Sequence, residues 1–192
     1  MDVGLLMILA LVLLAEFVNG WTDAPNAIAT VVGTRVLTPL HAIFLATILN
    51  AVGAMSGTAV AATIGKNIVD PSVIDLSVIG GAMVGIVIWS TAAWFRGLPT
   101  SESHALVAGL AGAGLAVAGP SVLLWEGWRK VILGLLFSTF LGFFGAFIFA
   151  KILRYFFASS SPLLCRKNFG RLQILSASFM AFSHGSNDGQ KF

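Results

Sequence analysis

Long stretches without a charged side chain constrain this chain more than any other feature. No Asp, Glu, Lys or Arg occurs in residues 3–15, 36–65, 76–95, 103–125 or 131–150. A helix that crosses hydrocarbon needs about 20 apolar residues, and four of the five gaps are that long. The chain reads as an all-α polytopic membrane protein.

Composition agrees. Charged side chains are 10% of the 192 residues, against about 25% in soluble domains, and the mean hydropathy is +0.93. These values exclude a disordered segment, a collagenous repeat and an ordinary soluble enzyme. One cysteine excludes a disulfide framework and a multi-cysteine zinc or iron–sulfur site. The pI near 9.4 does not indicate nucleic acid as a partner, because the basic residues mostly sit between apolar runs and read as topology signals. The first run begins with Asp2, and no small-x-small site follows Leu14. Residues Met1 to Asn19 are therefore expected in the mature fold rather than in a cleaved leader.

Membrane segments are expected at about 3–18, 24–35, 40–64, 76–95, 101–118 and 129–157, with a last helix from about 171. Small residues recur at helical spacing: Gly53, Gly57, Ala61 and Gly65, and again Gly134, Ser138, Gly142, Ala146 and Ala150. Such ridges let helices approach closely in lipid. Thr38-Pro39, Asp70-Pro71 and Gly97-Leu98-Pro99 punctuate the chain. The polar stretch at 158–170, with Lys151 and Arg154 before it, is rich in basic residues and free of acidic ones. The positive-inside rule makes it a cytoplasmic linker, with Arg35 also inside and Lys66 and the N-terminus outside. The five tryptophans, Trp21, Trp89, Trp94, Trp125 and Trp128, fit aromatic belts at the membrane surfaces.

Residues 16–23 and 181–188 align at an offset of 165, with Phe, Gly and Asp coinciding. Each copy ends an apolar run in an aspartate. With the N-terminus outside and the linker inside, the two copies start on opposite sides, the parity of an inverted repeat. The expected organisation is a first transmembrane repeat over 1–157, the linker at 158–170 and the opening of a second repeat over 171–192. Read this way the chain is a fragment, and alone it is expected not to transport.

Two polar clusters interrupt the apolar runs. Gly20 to Ala27 brings Thr22, Asp23 and Asn26 into what would otherwise be one long helix, a pattern that exposes carbonyls and oxygen ligands to ions. The bland alternative is a surface turn with Asp23 as an N-cap. Gly97 to His104 places Thr100, Ser101 and Ser103 at the start of a helix, where free N–H groups and the dipole suit an anion. The alternative there is ordinary capping by Thr100 or Ser101, with Glu102 in the first turn. Glu16, inside the first apolar run, is an ion or proton ligand or pairs with a polar neighbour. His104 and His184 read as turn histidines held by hydrogen bonds, and His41 as interfacial.

Gly20-Trp21-Thr22-Asp23-Ala24-Pro25-Asn26-Ala27 and Ser183-His184-Gly185-Ser186-Asn187-Asp188-Gly189-Gln190-Lys191, with Leu98-Pro99-Thr100-Ser101 between them, resemble the PiT (Pho-4) family of inorganic phosphate transporters. That resemblance implies a secondary transporter built on inverted repeats with broken helices or a re-entrant hairpin, moving phosphate with Na+ or H+. It implies that Asp23, Asn26, Asn187, Asp188 and Gln190 line the cation and substrate site, joined by Thr22 from the first motif. Thr100 and Ser101, with Ser103, would donate to phosphate, which Asp23 and Asp188 approach through bound cations. The family usually has Asn where this chain has Thr22. Expected partners are phosphate, the coupling cation and the lipid bilayer of the cell membrane; a homodimer stays open, and no cofactor or metal beyond the coupling ion is expected. A hydrolase triad of Ser101, His104 and Asp23 would leave the second Asp motif unused, so the chain is not expected to be an enzyme. Sulfate is the rival substrate, because a hydroxyl-lined site suits any tetrahedral oxyanion.

Overall fold

The computed structural model describes residues 3–57, 68–189 and 191. The helices are α1 (Val3–Thr22), α2 (Ala29–Gly33), α3 (Pro39–Ala54), α4 (Leu76–Phe95), α5 (Glu102–Ala118), α6 (Trp125–Phe157) and α7 (Pro162–Asn187), with a 3-10 turn at Ala24–Ala27 between α1 and α2. Apart from one isolated bridge, Val69 to Leu123, the described residues hold no β-structure. The α1 segment with its following turn, α4 and α6 are long and apolar enough to span a bilayer, while α3 and α5 are shorter apolar helices.

Two of the expected boundaries move. No helix fills 24–35, where the chain makes the 3-10 turn and then only the five residues of α2. The last helix begins at Pro162, not near 171: Ser161 accepts from the Leu164 N–H, and Pro162 takes the first helical position, where its fixed φ and missing donor cost nothing. Residues expected in the linker therefore start a helix. The far end of the 40–64 segment, with Lys66, Ala61 and Gly65, lies outside the described residues.

Neighbour pairs give the directions. Ile8 lies at Gly80 and Trp21 at Trp94, so α1 and α4 run parallel. Gly109 packs on the Ala82 backbone and Ser90 bonds to Glu102, so α4 and α5 form an antiparallel hairpin. These helices share one apolar cluster around Ala15, Ala82, Met83, Ile86, Leu106 and Leu110. A second cluster, around Ile28, Val31, Ala42, Ala46, Ala177 and Ala181, is built by the 3-10 turn, α2, α3 and α7. Here α3 and α7 run parallel, and α7 runs opposite to the segment from Asp23 through α2, since Asp23 faces His184 while Thr34 faces Gln173. The break after α1 carries the chain from the first cluster to the second.

Glycine sets the spacing of α3 and α7. A Cβ on Gly185 would overlap the Asn50 carbonyl, and one on Gly53 would overlap the Phe182 carbonyl. Both contacts are with backbone, which cannot swing aside. Gly185→Ala is thus expected to destabilise the protein by about 1–3 kcal/mol and to separate His184 from Asn50; a thermal melt matching the parent would contradict it. The second small-residue ridge behaves differently. Only Gly127 of α6 is buried, and nothing lies within 4 Å of where a Cβ would sit on Gly134 or Gly142. Among the described residues, the α6 ladder packs against no neighbour.

Candidate functional site

The polar centre forms where α1 stops. Gly20, Trp21 and Thr22 are still helical, and the Asp23 N–H bonds back to the Asn19 carbonyl at 3.0 Å. Pro25 then removes a donor and disfavours a helical Ala24, so the chain tightens into the 3-10 turn. Asn26 Nδ2 donates to Asp23 Oδ1 at 2.8 Å, fixing the carboxylate. This is an internal break and not a capped surface turn: the Asp23 side chain makes no cap bond, and its other oxygen faces α7.

There it meets His184, whose Nε2 lies 3.8 Å from Asp23 Oδ2 and 3.7 Å from Asp188 Oδ2. Nδ1 of the same ring lies 2.7 Å from Asn50 Oδ1 on α3. An amide oxygen only accepts, so the network assigns the proton to Nδ1. Nε2 then offers the carboxylates a second proton or shares a cation with them. One ligand atom from each of Asp23, His184 and Asp188 lies within 4.8 Å of the others. The Lys191 ammonium contacts both the Asp188 carboxylate and the Ser103 hydroxyl, joining the end of α7 to the start of α5. The ammonium is thus held between a carboxylate and a hydroxyl.

A cavity of about 370 Å³ opens beside this centre, lined in part by Glu16, Asn19, Asn50, Thr47 and His184. Glu16 Oε2 and Asn19 Oδ1 are buried without a hydrogen-bond partner. Unpartnered oxygens on a cavity wall suit a hard cation such as Na+, which binds through oxygen ligands.

The hairpin tip brings the hydroxyls. Gly97, at φ 65, closes α4, and Pro99 prevents continuation. Ser101 stands at the N-cap position of α5, yet its side chain makes no cap bond. The first-turn N–H groups of α5 therefore lack a side-chain acceptor there, a ready anion site. Thr100 accepts from Trp89 Nε1 at 3.1 Å and lines a cavity of about 290 Å³ with Thr22, Asn26 and Trp94. Ser101 and His104 line another face of the tip. Arg96 stays exposed, its Nη1 reaching the Ala92 carbonyl at 3.4 Å.

The structure thus brings together Asp23, Asn26, Asp188 and Ser103, with Glu16 on the adjoining cavity and Thr100 and Ser101 on the tip. It separates two expected ligands from that centre. Asn187 is exposed and bonds back to Ser183 of its own helix at 2.8 Å. The Thr22 hydroxyl lies 2.8 Å from the Val18 carbonyl and 3.0 Å from Glu102 Oε1, so it is turned toward Glu102 rather than toward Asp23's partners. Gln190 lies outside the described residues. Asp23 pairs with Asn26 and His184 and not with the Ser101 and His104 of an imagined triad.

Four site residues escape a reading of the sequence. His184 is the hub, and its signal was the i,i+4 spacing to Asp188 at a helix end. Asn50 was a lone amide inside a 30-residue charge-free run. Lys191 lies at the end of the second motif. Glu102, expected in an open first turn, is 0% exposed and receives the Ser90 hydroxyl at 2.6 Å. Trp89 also donates to Thr100, and Trp21 and Trp94 meet beside the break.

Comparison with known proteins follows the same lines. The sequence profile of the phosphate transporter family, PHO4, matches residues 19–167. The chain is 40% identical over 196 residues to a "Probable low-affinity inorganic phosphate transporter" of Bacillus subtilis (strain 168), covering 100% of this chain and 59% of that protein. A protein of the same name from Rhizobium meliloti (strain 1021) is 40% identical over 185 residues, covering 96% and 55%. The chain thus spans somewhat over half the length of these relatives. Among solved structures, "The sodium-dependent phosphate transporter" superposes with a TM-score of 0.79 over 99% of this chain and 65% of that one; at 23% identity the likeness is one of fold.

Proposed function

Since the chain belongs to the PHO4 phosphate transporter family, we propose that it carries the phosphate and cation site of a symporter that moves inorganic phosphate across the cell membrane with Na+. The observation that supports this most is the meeting of two helix ends bearing Asp23 and Asp188 opposite the hydroxyl-bearing start of α5, with Lys191 between them. Two carboxylates alone would repel phosphate. Cations held by Asp23, Asp188 and the free oxygens of Glu16 and Asn19 would turn that repulsion into attraction. They would also offset the cost of carrying a divalent anion into a negative interior, about 4.6 kcal/mol per 100 mV from about 2.3 per charge. Thr100, Ser101, Ser103 and the α5 N-terminus would take the phosphate oxygens. Sodium fits the mainly oxygen donors of Asp23, Asp188, Glu16 and Asn19, and the solved protein of this fold is named as sodium-dependent.

The test is radiolabelled phosphate uptake in proteoliposomes by a transporter of the relatives' full length that contains this chain, under an imposed sodium or proton gradient. Sodium-driven accumulation is expected. Accumulation under a proton gradient alone would reassign the cation, and accumulation of sulfate instead of phosphate would reassign the substrate. Lys191→Met removes the ammonium that touches Ser103, a hydroxyl assigned to phosphate in this proposal. It is expected to raise the phosphate KM about tenfold, the worth of a charge-assisted hydrogen bond; an unchanged KM in initial-rate uptake would remove Lys191 from the site.

A further inference from the structure

A second concave surface lies away from this centre. A groove of about 400 Å³ runs between the end of α2 and the first half of α7, lined by Thr34, Arg35, Arg166, Lys167, Gly170 and Arg171 among others. All four cations are exposed, and none has an acidic partner among the described residues. None is near in sequence either, since residues 24–69 and 127–187 contain no Asp or Glu. The Thr34 hydroxyl lies 2.7 Å from Gln173 Oε1 and ties the two walls together. Arg171 and His184 are 13 residues apart on one helix, or roughly 20 Å at about 1.5 Å per residue, so the groove is separate from the polar centre.

Positive residues beside a span ordinarily serve topology, and three of the four could be explained so. Arg35 resists that account. The Val36 N–H bonds to the Val31 carbonyl and the Arg35 N–H to the Val32 carbonyl, both at 3.0 Å, which closes α2 in a Schellman motif. Arg35 holds its left-handed position at φ 59, and it is the one non-glycine residue with positive φ among those described. The same motif closes α4, where Leu98 N–H reaches the Ala93 carbonyl and the left-handed residue is Gly97. A topology signal needs a charge near the span and is indifferent to which residue carries it; Thr34 would carry it without strain. Backbone strain accepted to aim a side chain is the mark of a binding position. Here it aims a guanidinium, suited to bidentate phosphate contacts, into a groove of three more cations.

We propose that this groove binds a phosphate group, as a phospholipid headgroup or as a soluble phosphate, and that the bound anion clamps α2 to α7. Without an anion, four like charges repel across the groove; with one, both walls are drawn to the same ligand. The two walls lead straight to the Asp23 break and to His184, so the clamp acts on the elements that hold the polar centre.

The test uses the purified protein in neutral detergent and counts bound ligand by native mass spectrometry, with thermal melts alongside. One arm titrates phosphatidylglycerol against phosphatidylcholine, and the other titrates inorganic phosphate and pyrophosphate. Each groove cation is expected to contribute about fivefold in affinity, so Arg35→Gly weakens binding about fivefold and Arg35→Gly with Arg171→Gln about 25-fold. Arg35→Gly relieves the strained backbone, so its melting temperature without ligand should equal or exceed the parent's; lost binding then cannot be lost folding. Saturable phosphatidylglycerol binding that falls this way assigns a lipid headgroup, and the same pattern in the second arm alone assigns a soluble phosphate. Absence of saturable binding in both arms overturns the proposal, as does binding that neither substitution changes.

Discussion

Asp23→Asn is expected to lower sodium-driven phosphate uptake by about 100-fold, the scale set by removing one member of a close, half-buried charge pair. The substitution preserves shape. Asn26 can still donate to the remaining carbonyl oxygen, as it does to Oδ1 at 2.8 Å, so the 3-10 turn should persist and the thermal melt should move little. What disappears is the negative charge that faces His184 Nε2 across 3.8 Å. With it goes half of the paired carboxylates proposed to hold a cation opposite the α5 hydroxyls. Binding of phosphate and sodium should weaken together, because each supplies the charge that the other needs. Uptake within threefold of the parent, at equal protein incorporation, would remove Asp23 from the transport site.

Glu102→Ala should damage folding instead. The Glu102 side chain is fully buried and links three helices, through Thr22 on α1 and Ser90 on α4 to its own place on α5. Truncation orphans the Ser90 hydroxyl at about 1–3 kcal/mol, while Thr22 keeps the Val18 carbonyl, and it leaves a cavity, for a total of about 3 kcal/mol. That is a fall in Tm of about 6–12 °C for a chain of this size. Glu102→Gln keeps the volume and can still donate to Thr22 and accept from Ser90, so its loss should be much smaller. An alanine variant that melts with the parent would show that the network does not hold the hairpin to α1.

The parts legible in the sequence were those with a local cause. The break at Asp23 follows from Pro25 and from polar side chains inside an apolar run, and the α4–α5 turn from Gly97 and Pro99. The pairing of Asp23 with Asp188 was legible as a repeat, and α1 and α7 do bring the two carboxylates to one histidine. The fold class was legible as well: the chain matches the family profile and superposes on a transporter fold. The remainder comes from contacts that sequence proximity does not encode. Asn50 and His184 are 134 positions apart, Thr22 and Glu102 80, and Ser103 and Lys191 88. The first pair exists because Gly53 and Gly185 let α3 and α7 approach, and a polar residue in an apolar run does not name its partner. The start of α7 was misread for a different reason. Ser and Pro serve equally as loop punctuation and as a helix cap with its first residue, and the choice at Ser161 and Pro162 was made by the helix that follows.

The division of the apolar core into two clusters has a mechanical consequence. Each cluster is close-packed and resists deformation, whereas the seam between them is crossed by the α1 break and by polar bridges from Lys191 to Ser103 and from His184 to Asp23. Oil-like contacts would open only by exposing hydrocarbon, but polar bridges can trade partners with water and ions at small cost. A tilt of about 10° at the end of a helix about 30 Å long moves its far end by about 5 Å, one helical turn. In the proposed site the fastening of the seam and the grip on the cargo would be made of the same side chains, so that loading or emptying it would itself lock or free the two halves.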